Sequence, residues 1–501
     1  MTQQFDTDVA VIGLGPSGGV LATLLASRGL RVEVFERDLE VYPKPRAVHF
    51  DAEVMRVLQR CGVAMRLGPH VRPVHGMDLF GADGDLIFQY RPAAGSGPLG
   101  WSEGYMFEQP ALERSLRERL GELPTASMRL GYEVQSIEQL PDDTGVVVSA
   151  VKDGESIECR ARYVVGCCGA DSITRRTIDT ESHDYAVDSD WLVLDIEVTA
   201  PTDLPDVTVQ YCEPSRPCTY VCLPNNRVRF EFRLLPGEEK ERMTNQSVIE
   251  GLLSRWIGPE AYQMDRAAVY TFHGLIADRW RSGRVFLAGD AAHQMPPFLG
   301  QGMCAGVRDA ANLEWKLDLV VRGLADASLL DTYRQERIAH VRRIIETDIY
   351  LGDIIQTTEP KVAAGRDAEA RKDGKPGQLS PRLYPLGPGL CSDDPTAGLP
   401  FPQPVTADGA YHDDVLGSGF ALVGEVGTDP ESVRLMEHLG VRAITNALGP
   451  IRDWLAANGV AAALVRPDRI VLATVTEPSD LGRALLPLAG HVPVDAAGAS
   501  S

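Results

Sequence analysis

One segment near the start of the chain constrains the fold more than any other. The stretch DVAVIGLGPSGGVLATLLASRGLRVEVFER, residues 8–37, contains an apolar strand, a glycine-rich turn, a helical stretch and a second strand. Gly13, Gly15 and Gly18 have the spacing G-x-G-x-x-G, and Glu36 follows 18 residues after Gly18. These parts in this order predict a parallel βαβ unit, and therefore an α/β fold built on a Rossmann-like sheet.

Each glycine of this turn has a physical role in holding a dinucleotide. Gly13 permits the tight turn, Gly15 lets the backbone approach a pyrophosphate, and Gly18 lets the helix pack on the strand. The start of the helix offers free N–H groups and a partial positive charge to the phosphates. Glu36 can accept both ribose hydroxyls of an adenosine. The unit predicts NAD or FAD binding, and the alternative is a plain βαβ turn without a ligand.

Charge and composition exclude several classes of partner. The 501 residues leave room for two to four domains, and 49 Lys and Arg against 70 Asp and Glu give a net charge of −21. Such a balance argues against nucleic-acid and anionic-membrane partners, which need a basic face. The first residues lack the basic region of a signal peptide, so we expect a cytoplasmic protein. The nine cysteines form no C-x-x-C, so we expect neither a disulfide framework nor a metal site.

A second segment, residues 283–317, narrows the choice of dinucleotide. It reads GRVFLAGDAAHQMPPFLGQGMCAGVRDAANLEWKL, a strand, a loop and a helix that begins near Gly302 or Met303. Asp290 at the strand end suits the hydroxyls of a ribityl chain. The backbone N–H groups of Gly300, Gln301, Gly302 and Met303 suit a ring oxygen that becomes negative on reduction. A flavin has both features, so the segment predicts FAD.

These segments resemble the class A flavoprotein aromatic hydroxylases of the para-hydroxybenzoate hydroxylase type, and especially the 3-(3-hydroxyphenyl)propionate and phenol hydroxylase branch. The resemblance extends through PRAVHFDAEVMRVLQ at 45–59, FEQPALERSLRERL at 107–120, VQYCEPSRPCTYV at 209–221 and RFEFRLLPGE at 229–238. It implies an FAD-dependent monooxygenase in which NAD(P)H is a transient reductant. One oxygen atom of O₂ would pass from a flavin C4a-hydroperoxide to a small phenolic substrate.

The resemblance also implies which residues meet the cofactor. Arg46 would lie beside the pyrophosphate and ribityl chain, although it could be a surface arginine. Gln109 would touch the ribityl chain, although it could instead assist the cap of the helix that starts at Pro110. The backbone of Val134 would meet the adenine. The complete predicted cofactor set is Gly13, Gly15, Pro16, Ser17, Gly18, Glu36, Arg37, Arg46, Gln109, Val134, Gly169, Asp290, Pro297, Gly300, Gln301, Gly302 and Met303.

The substrate side is predicted from an alternating β pattern over 181–267. Tyr211, Tyr220 and Arg229 are candidates to face the substrate, and Arg229 could bind a carboxylate bidentately or lie on the solvent side of its strand. His49 could also reach the pocket. The predicted catalytic set is His49, Tyr220, Arg229 and Pro297, the last of which would lie near the flavin and the substrate hydroxyl. His293 is expected to be a structural histidine beside Asp290.

The resemblance divides the chain into four parts. Residues 1–180 and 268–345 would form a discontinuous FAD-binding domain of the glutathione-reductase type, and 181–267 with part of 75–105 the β-sheet substrate domain. Residues 346–400 would be a helical and irregular linker. Residues 401–501 would form a thioredoxin-like domain, without the C-x-x-C of a redox protein. A homodimer is compatible with this plan.

Alternative functions remain open at this point. A 3-hydroxyphenyl acid is the leading substrate, and a larger polycyclic or polyketide phenol is the second. The chain could also be a flavoprotein of this fold in which NAD(P)H-driven hydroxylation is altered or lost. A flavin halogenase is disfavoured because no W-x-W-x-I-P segment is present.

One position departs from the family pattern. In YVVGCCGADSITRR, Gly169, Ser172 and Arg175 fall where the family expects them, but Cys168 stands in place of an aspartate. A thiol is ordinarily neutral, with a pKa near ~8.5. Either Asp171 supplies the missing carboxylate or hydride delivery is altered.

We therefore predict that FAD binds but that its reduction by NAD(P)H is the weak step. Cys168→Asp is expected to raise the rate of flavin reduction, because it restores the carboxylate. The rate is measured anaerobically by the loss of flavin absorbance after mixing with NADH or NADPH. An unchanged rate would show that the cysteine is a neutral replacement.

Overall fold

The computed structural model describes residues 5–141, 143–379, 383–477 and 480–493. The remaining parts of the predicted domains, including both ends of the chain, lie outside the described residues. The strands are β1 (Thr7–Ile12), β2 (Val32–Glu36), β3 (His49–Asp51), β4 (Val71–Pro73), β5 (Met77–Phe80), β6 (Leu86–Tyr90), β7 (Gly104–Phe107), β8 (Ala126–Leu130), β9 (Glu133–Gln139), β10 (Val146–Lys152), β11 (Glu155–Gly166), β12 (Ser182–Asp184), β13 (Ser189–Val198), β14 (Thr208–Tyr211), β15 (Cys218–Cys222), β16 (Arg227–Arg233), β17 (Tyr262–Phe272), β18 (Leu275–Ala277), β19 (Arg281–Ser282), β20 (Val285–Leu287), β21 (His293–Gln294), β22 (Gly377–Gln378), β23 (Ala421–Gly424), β24 (Arg442–Ile444), β25 (Ala462–Val465) and β26 (Val471–Val475).

The helices follow the same chain order. They are α1 (Pro16–Ser27), α2 (Ala52–Cys61), α3 (Gln109–Gly121), α4 (Ile173–Thr177), α5 (Lys240–Met243), α6 (Gln246–Leu253), α7 (Gly302–Val321), α8 (Asp331–Gln356), α9 (Pro360–Ala370), α10 (His412–Leu416), α11 (Pro430–His438), α12 (Gly449–Ala457) and α13 (Leu481–Ala489). Across the described ranges, none of them combines the length and apolar character needed to cross a membrane.

The first sheet has the order β19-β20-β11-β1-β2-β8, with β10 and β9 attached beside β11. β1 pairs in parallel with β11 and β2, which is the predicted βαβ arrangement. Its residues from Val9 to Val11 are fully buried, as a central parallel strand covered on both faces requires. α1 packs against α3 and α7. A Cβ atom at Gly306 of α7 would lie 2.2 Å from Oγ of Ser17, so the helices meet where no side chain intervenes.

The second sheet has the order β17-β13-β16-β15-β14-β5-β6-β22. One face packs under α6, where Phe230, Phe232 and Leu253 share an apolar core. The other face lines a cavity whose opposite side is the loop before α7. Two predicted boundaries fall inside elements, because β17 continues through 267 and α8 continues through 345 to Gln356. The mixed α/β class expected from the sequence is present in these two sheets.

The C-terminal part is a smaller α/β unit. Its sheet has the order β24-β23-β25-β26, in which β23 and β24 are parallel and the other pairs antiparallel. Leu435 of α11 and Leu485 of α13 belong to the apolar core on one face, and Ile451 of α12 belongs to the core on the other.

A buried carboxylate joins this unit to α7 and α8. Oε2 of Glu336 accepts from Nζ of Lys316 at 2.8 Å, and its Oε1 accepts from Nη1 of Arg466 at 2.9 Å. All three side chains are fully buried. Burial opposes ionisation of Glu336, but Arg466 and Lys316 outweigh it and hold its pKa well below the usual range. Burial also lowers the pKa of Lys316 to about 8, so the pair depends on its mutual contact.

Glu336→Gln is expected to lower the free energy of unfolding by about 3–5 kcal/mol, because it leaves a buried ammonium and guanidinium without their shared anion. Urea denaturation at pH 7 measures the change. Glu437→Gln, at an exposed carboxylate on α11, is the matched control and should change stability by less than about 0.5 kcal/mol. Equal effects at both positions would contradict the structural role of Glu336.

Candidate active site

The glycine-rich turn has a packed side and an open side. Gly13 has a φ of +101°, and a Cβ atom there would lie 2.5 Å from the carbonyl oxygen of Cys167. A Cβ atom at Gly18 would lie 2.0 Å from the carbonyl oxygen of Gly13. At Gly15, by contrast, a Cβ atom would have no described atom within 4 Å apart from those of its chain neighbours. The turn therefore leaves room for a ligand at Gly15, directly before α1 begins at Pro16.

Glu36 and Arg37 lie at the carboxyl end of β2. The backbone N–H of Leu14 donates to Oε2 of Glu36 at 2.7 Å, and that of Asp38 donates to Oε1 at 2.9 Å. These bonds fix the carboxylate beside the turn and leave lone pairs for hydroxyl donors. Arg37 points outward, with 70% of its side chain exposed. Gly169, at φ +81°, also has open space around it within the described part of the chain.

Asp290 lies directly after β20, in the short turn Gly289–Ala291. The residue is exposed, yet the protein around it restricts hydration and raises the pKa of the carboxyl. Asp309 of α7 holds the turn in place, because it accepts from the backbone N–H of Gly289 at 3.0 Å and pairs with Nε2 of His293 at 2.7 Å. His293 is structural, as expected, but its partner is Asp309 rather than Asp290.

Asp171 does not supply the carboxylate that Cys168 lacks. The side chain of Asp171 is 92% exposed and pairs with Arg176. Sγ of Cys168 lies 3.0 Å from Oγ of Ser172, the residue that caps α4. Arg175 donates to the carbonyl oxygen of Ala291 at 3.2 Å. Asp171 therefore does not compensate for the missing carboxylate, and the thiol has the hydroxyl groups of Ser172 and Thr174 as its polar neighbours in the described part of the chain.

A cavity of about 1290 Å³ lies between the second sheet and the start of α7. Pro297, Gly300, Gln301, Gly302 and Met303 line it on one side, so five predicted residues meet at one surface. The backbone N–H of Gly300 donates to the carbonyl oxygen of Pro297 at 2.9 Å, which closes the loop before the helix. Because the first N–H groups of a helix lack partners within it, this end of α7 suits a developing negative charge.

A buried carboxyl supports the same loop from behind. The backbone N–H of Leu299 donates to Oδ1 of Asp348 on α8 at 2.6 Å. Burial raises the pKa of Asp348 well above its usual range, because no cation lies beside it among the described residues.

His49 reaches the cavity, as the sequence suggested it could. A Cβ atom at Gly104 would lie 2.8 Å from its Nε2, and one at Gly300 would lie 3.2 Å from its Nδ1. The imidazole thus fills the space between two glycines. Burial lowers the pKa of His49, although Asp51 opposes the shift, so the neutral ring is favoured.

Two predictions on the substrate side are wrong. Tyr220 does not line the cavity: its hydroxyl donates to the carbonyl oxygen of Pro205 at 2.9 Å, and its ring packs against Phe230 at a centroid distance of 5.2 Å. Tyr211 lies on the same side of the sheet and packs against Trp256. The cavity face carries the alternate residues, because successive side chains of a strand point to opposite faces.

Arg229 lines the cavity but is not free to clamp a substrate carboxylate. Its Nε donates to Oδ1 of Asp195 at 2.7 Å, its Nη2 to the carbonyl oxygen of Pro45 at 2.6 Å and its Nη1 to that of Arg46 at 2.9 Å. It is 4% exposed, so it is also not on the solvent side of its strand. Its observed role is to fix the loop at residues 45–46.

Two of the other predicted cofactor residues, Arg46 and Gln109, lie at that loop. Arg46 is exposed, lines the cavity and stacks over the Tyr42 ring at 5.7 Å. Gln109 accepts from the backbone N–H of Ala47 at 2.7 Å and donates to Glu113 at 2.7 Å. α3 starts at Gln109 without a side-chain cap, so the capping alternative is wrong. Val134 is a buried residue of β9, and its contact with an adenine stays a prediction.

Three polar residues that the sequence did not single out form a row on the cavity face. Gln210 of β14 pairs with Thr219 of β15, which pairs with Glu231 of β16. All three line the cavity, and Oγ1 of Thr219 donates to Oε1 of Gln210. The sequence shows only that charged residues, Arg229 and Glu231, alternate with apolar ones along β16. The row itself depends on strand register, which the sequence pattern does not give.

Taken together, these residues fit one extended ligand. The open side of the turn at Gly15 leaves space for phosphates. The carboxyl groups of Glu36 and Asp290 can accept hydrogen bonds from hydroxyl groups, and the start of α7 offers N–H groups to a ring. This arrangement defines a flavin dinucleotide-binding protein whose cavity continues from the start of α7 to the polar face of the second sheet.

Comparison with known proteins agrees with this class. The family model described as FAD binding domain matches residues 6–348. A protein of Rhodococcus jostii (strain RHA1) named "Probable NADH-specific resorcinol 4-hydroxylase" is 36% identical over 95% of this chain and 93% of its own length. A 3-(3-hydroxy-phenyl)propionate/3-hydroxycinnamic acid hydroxylase of Mycolicibacterium gilvum (strain PYR-GCK) is 34% identical over 94% and 90%.

The fold also matches a solved structure. The complex of aklavinone-11 hydroxylase with FAD and aklavinone superimposes with a TM-score of 0.78 over 97% of this chain and all of that chain, at 23% identity. The chain belongs to the FAD-dependent aromatic hydroxylase family, which confirms the family and the cofactor expected from the sequence.

Gly15→Val is expected to abolish FAD retention while leaving the protein folded, because the new side chain enters only the open side of the turn. The backbone at Gly15 has a φ of −73°, which valine adopts without strain. FAD content is read from the visible absorbance of the purified protein, and thermal unfolding of the FAD-free form should be unchanged. Gly18→Val is the contrast, since its Cβ would collide with the turn and destabilise the fold itself. Full FAD content in Gly15→Val would contradict the assignment.

Proposed function

We propose that this protein is an FAD-dependent monooxygenase that uses NADH to hydroxylate a simple phenol. The observation that carries the proposal is the cavity that the start of α7 and Pro297 share with the polar face of the second sheet. It joins the end of the flavin site to a chamber in which an aromatic ring can lie. The name of the Rhodococcus relative supports NADH as the reductant and a phenol as the substrate.

When bound, FAD would supply the redox chemistry between the nicotinamide and O₂. The protein contributes position, charge and exclusion of water. The N–H groups of Gly302 and Met303, at the start of α7, would stabilise negative charge on the flavin ring. His49 offers a neutral imidazole that accepts the phenol proton, and Pro297 shapes the wall between ring and substrate. Phe88 and Phe272 add apolar surface that excludes water from the chamber.

We extend the proposal to the domain plan. With the two boundaries moved to the ends of β17 and α8, the chain up to residue 180 and residues 273–356 bind FAD. Residues 181–272 with β5 and β6 bind substrate, and the segment after α8 is a linker. The order β24-β23-β25-β26, with α11, α12 and α13 around it, supports a thioredoxin-like C-terminal domain. A cytoplasmic location and a homodimer stay predictions from the sequence.

A larger substrate is the second candidate, because one observation favours it. The cavity of about 1290 Å³ includes the space beside residues 300–303 where the flavin ring is expected, and it continues beyond that space. Part of this space extends past Tyr384 and Leu386 towards the C-terminal unit. A polycyclic phenol would use that extension.

The proposal predicts that a phenol stimulates NADH oxidation and is recovered with one added oxygen atom. The holoenzyme is mixed with NADH or NADPH and a panel of monocyclic and polycyclic phenols, and O₂ uptake is followed. Incorporation of ¹⁸O from ¹⁸O₂ into the product, read by mass spectrometry, distinguishes hydroxylation from wasteful oxidation. A flavin that neither nicotinamide reduces, with or without phenol, would contradict the proposal and favour a flavoprotein that has lost this activity.

A further inference from the structure

One acidic side chain, Glu231, lies on the face of the second sheet that lines the cavity, and its arginine neighbour is already bound to Asp195. Glu231 lines the cavity with 12% of its side chain exposed. Within the described part of the chain, the one cation within 4 Å of its carboxylate is Arg229, whose Nη1 lies 3.6 Å from Oε1. A carboxylate in this position accepts hydrogen bonds from hydroxyl groups that enter the chamber.

The arginines around the chamber are already committed. Arg229 binds Asp195 and two carbonyl oxygens, Arg308 pairs with Asp51 and Glu53, and Arg337 pairs with Asp309. These contacts leave little positive charge to attract an anion.

Arg46 is the exception among the lining arginines. Its side chain is exposed, and it acts on the pKa values of Glu113 and Asp290. Those two carboxyl groups lie with the residues predicted to bind FAD. We therefore assign the charge of Arg46 to the FAD site and not to the substrate face of the sheet.

We infer that Glu231 is the specificity-determining residue of the substrate chamber, and that the substrate is an uncharged phenol whose hydroxyl donates to this carboxylate, rather than a phenol that carries a carboxylate. The inference rests on the proposed function, which it deepens. Gln210 and Thr219 extend the polar row from Glu231 across two strands, so a ring with more than one hydroxyl finds more than one partner.

The surroundings of Glu231 make a second negative charge in the chamber, beside its own carboxylate, energetically unfavourable. Burial raises the pKa of its carboxyl, and Asp195 adds to the shift, although Arg229 and Arg266 oppose it. The site therefore already disfavours one negative charge. A substrate carboxylate held nearby would add like-charge repulsion in a poorly hydrated space.

The test compares two phenols that differ in charge, resorcinol and 3-(3-hydroxyphenyl)propionate. With the wild-type holoenzyme, kcat/KM for hydroxylation should favour resorcinol by about 100-fold, which corresponds to about 2.7 kcal/mol. Glu231→Gln keeps the size and removes the charge. It should lower kcat/KM for resorcinol by about tenfold, mainly by raising KM, and should raise kcat/KM for the acid. The ratio of the two kcat/KM values therefore becomes smaller. Glu197→Gln, at an exposed carboxylate of the same sheet, is the matched control and should leave the ratio unchanged.

Binding is measured separately from turnover. Each phenol is titrated into the oxidised holoenzyme, and the change in flavin absorbance gives Kd. If neither phenol is hydroxylated but resorcinol alone binds, the proposed function fails while the inference stands. If the wild type binds or hydroxylates the acid as well as resorcinol, or if Glu231→Gln leaves the ratio unchanged, the inference is overturned. The wild-type comparison decides the matter even if the variant does not fold.

Discussion

The carboxylate of Asp309 is the interaction on which the rest of the site depends. It lies on α7 and is fully buried, and it accepts from the backbone N–H of Gly289, from His293 and from Arg337 of α8. An unpaired charge at this depth would be very costly, so its three partners hold their positions together. The turn that carries Asp290 and the helix that begins at Gly302 consequently form one rigid piece. The groups proposed for the ribityl chain and for the flavin ring thus keep a constant spacing.

A second ionic centre joins the second sheet to the loop at Pro45. Asp195 of β13 pairs with Arg229 and Arg266, and both guanidinium groups also donate to the carbonyl oxygen of Pro45. The loop that carries Arg46 is therefore anchored to the substrate sheet as well as to Gln109 of α3. The arginines of this sheet maintain the architecture, and the chamber face is left to polar and apolar groups.

The parts of the site that could be predicted from sequence are those that lie within one short segment. The turn at Gly13 to Gly18 and the start of α7 at Gly302 each follow from residues that are neighbours in the chain. The family and its cofactor followed from the same segments. A local pattern also located Asp290 at the end of its strand, because a strand, a turn and an acid occur there in succession.

The remaining features depend on contacts between distant segments. The role of Arg229 is set by Asp195, 34 residues earlier, and by the loop at Pro45. Tyr220 was placed on the wrong face because a five-residue apolar strand gives no clear alternation.

The imidazole of His49 between Gly104 and Gly300 has a consequence for how this chamber can change through evolution or design. The three residues belong to a strand, a second strand and a loop, yet they fill a single volume. A side chain at either glycine requires a smaller residue at 49, and a larger residue at 49 would have to extend into the cavity. Single substitutions at these positions are therefore poor steps towards a new substrate. Variant libraries that reshape this wall need to vary the three positions jointly.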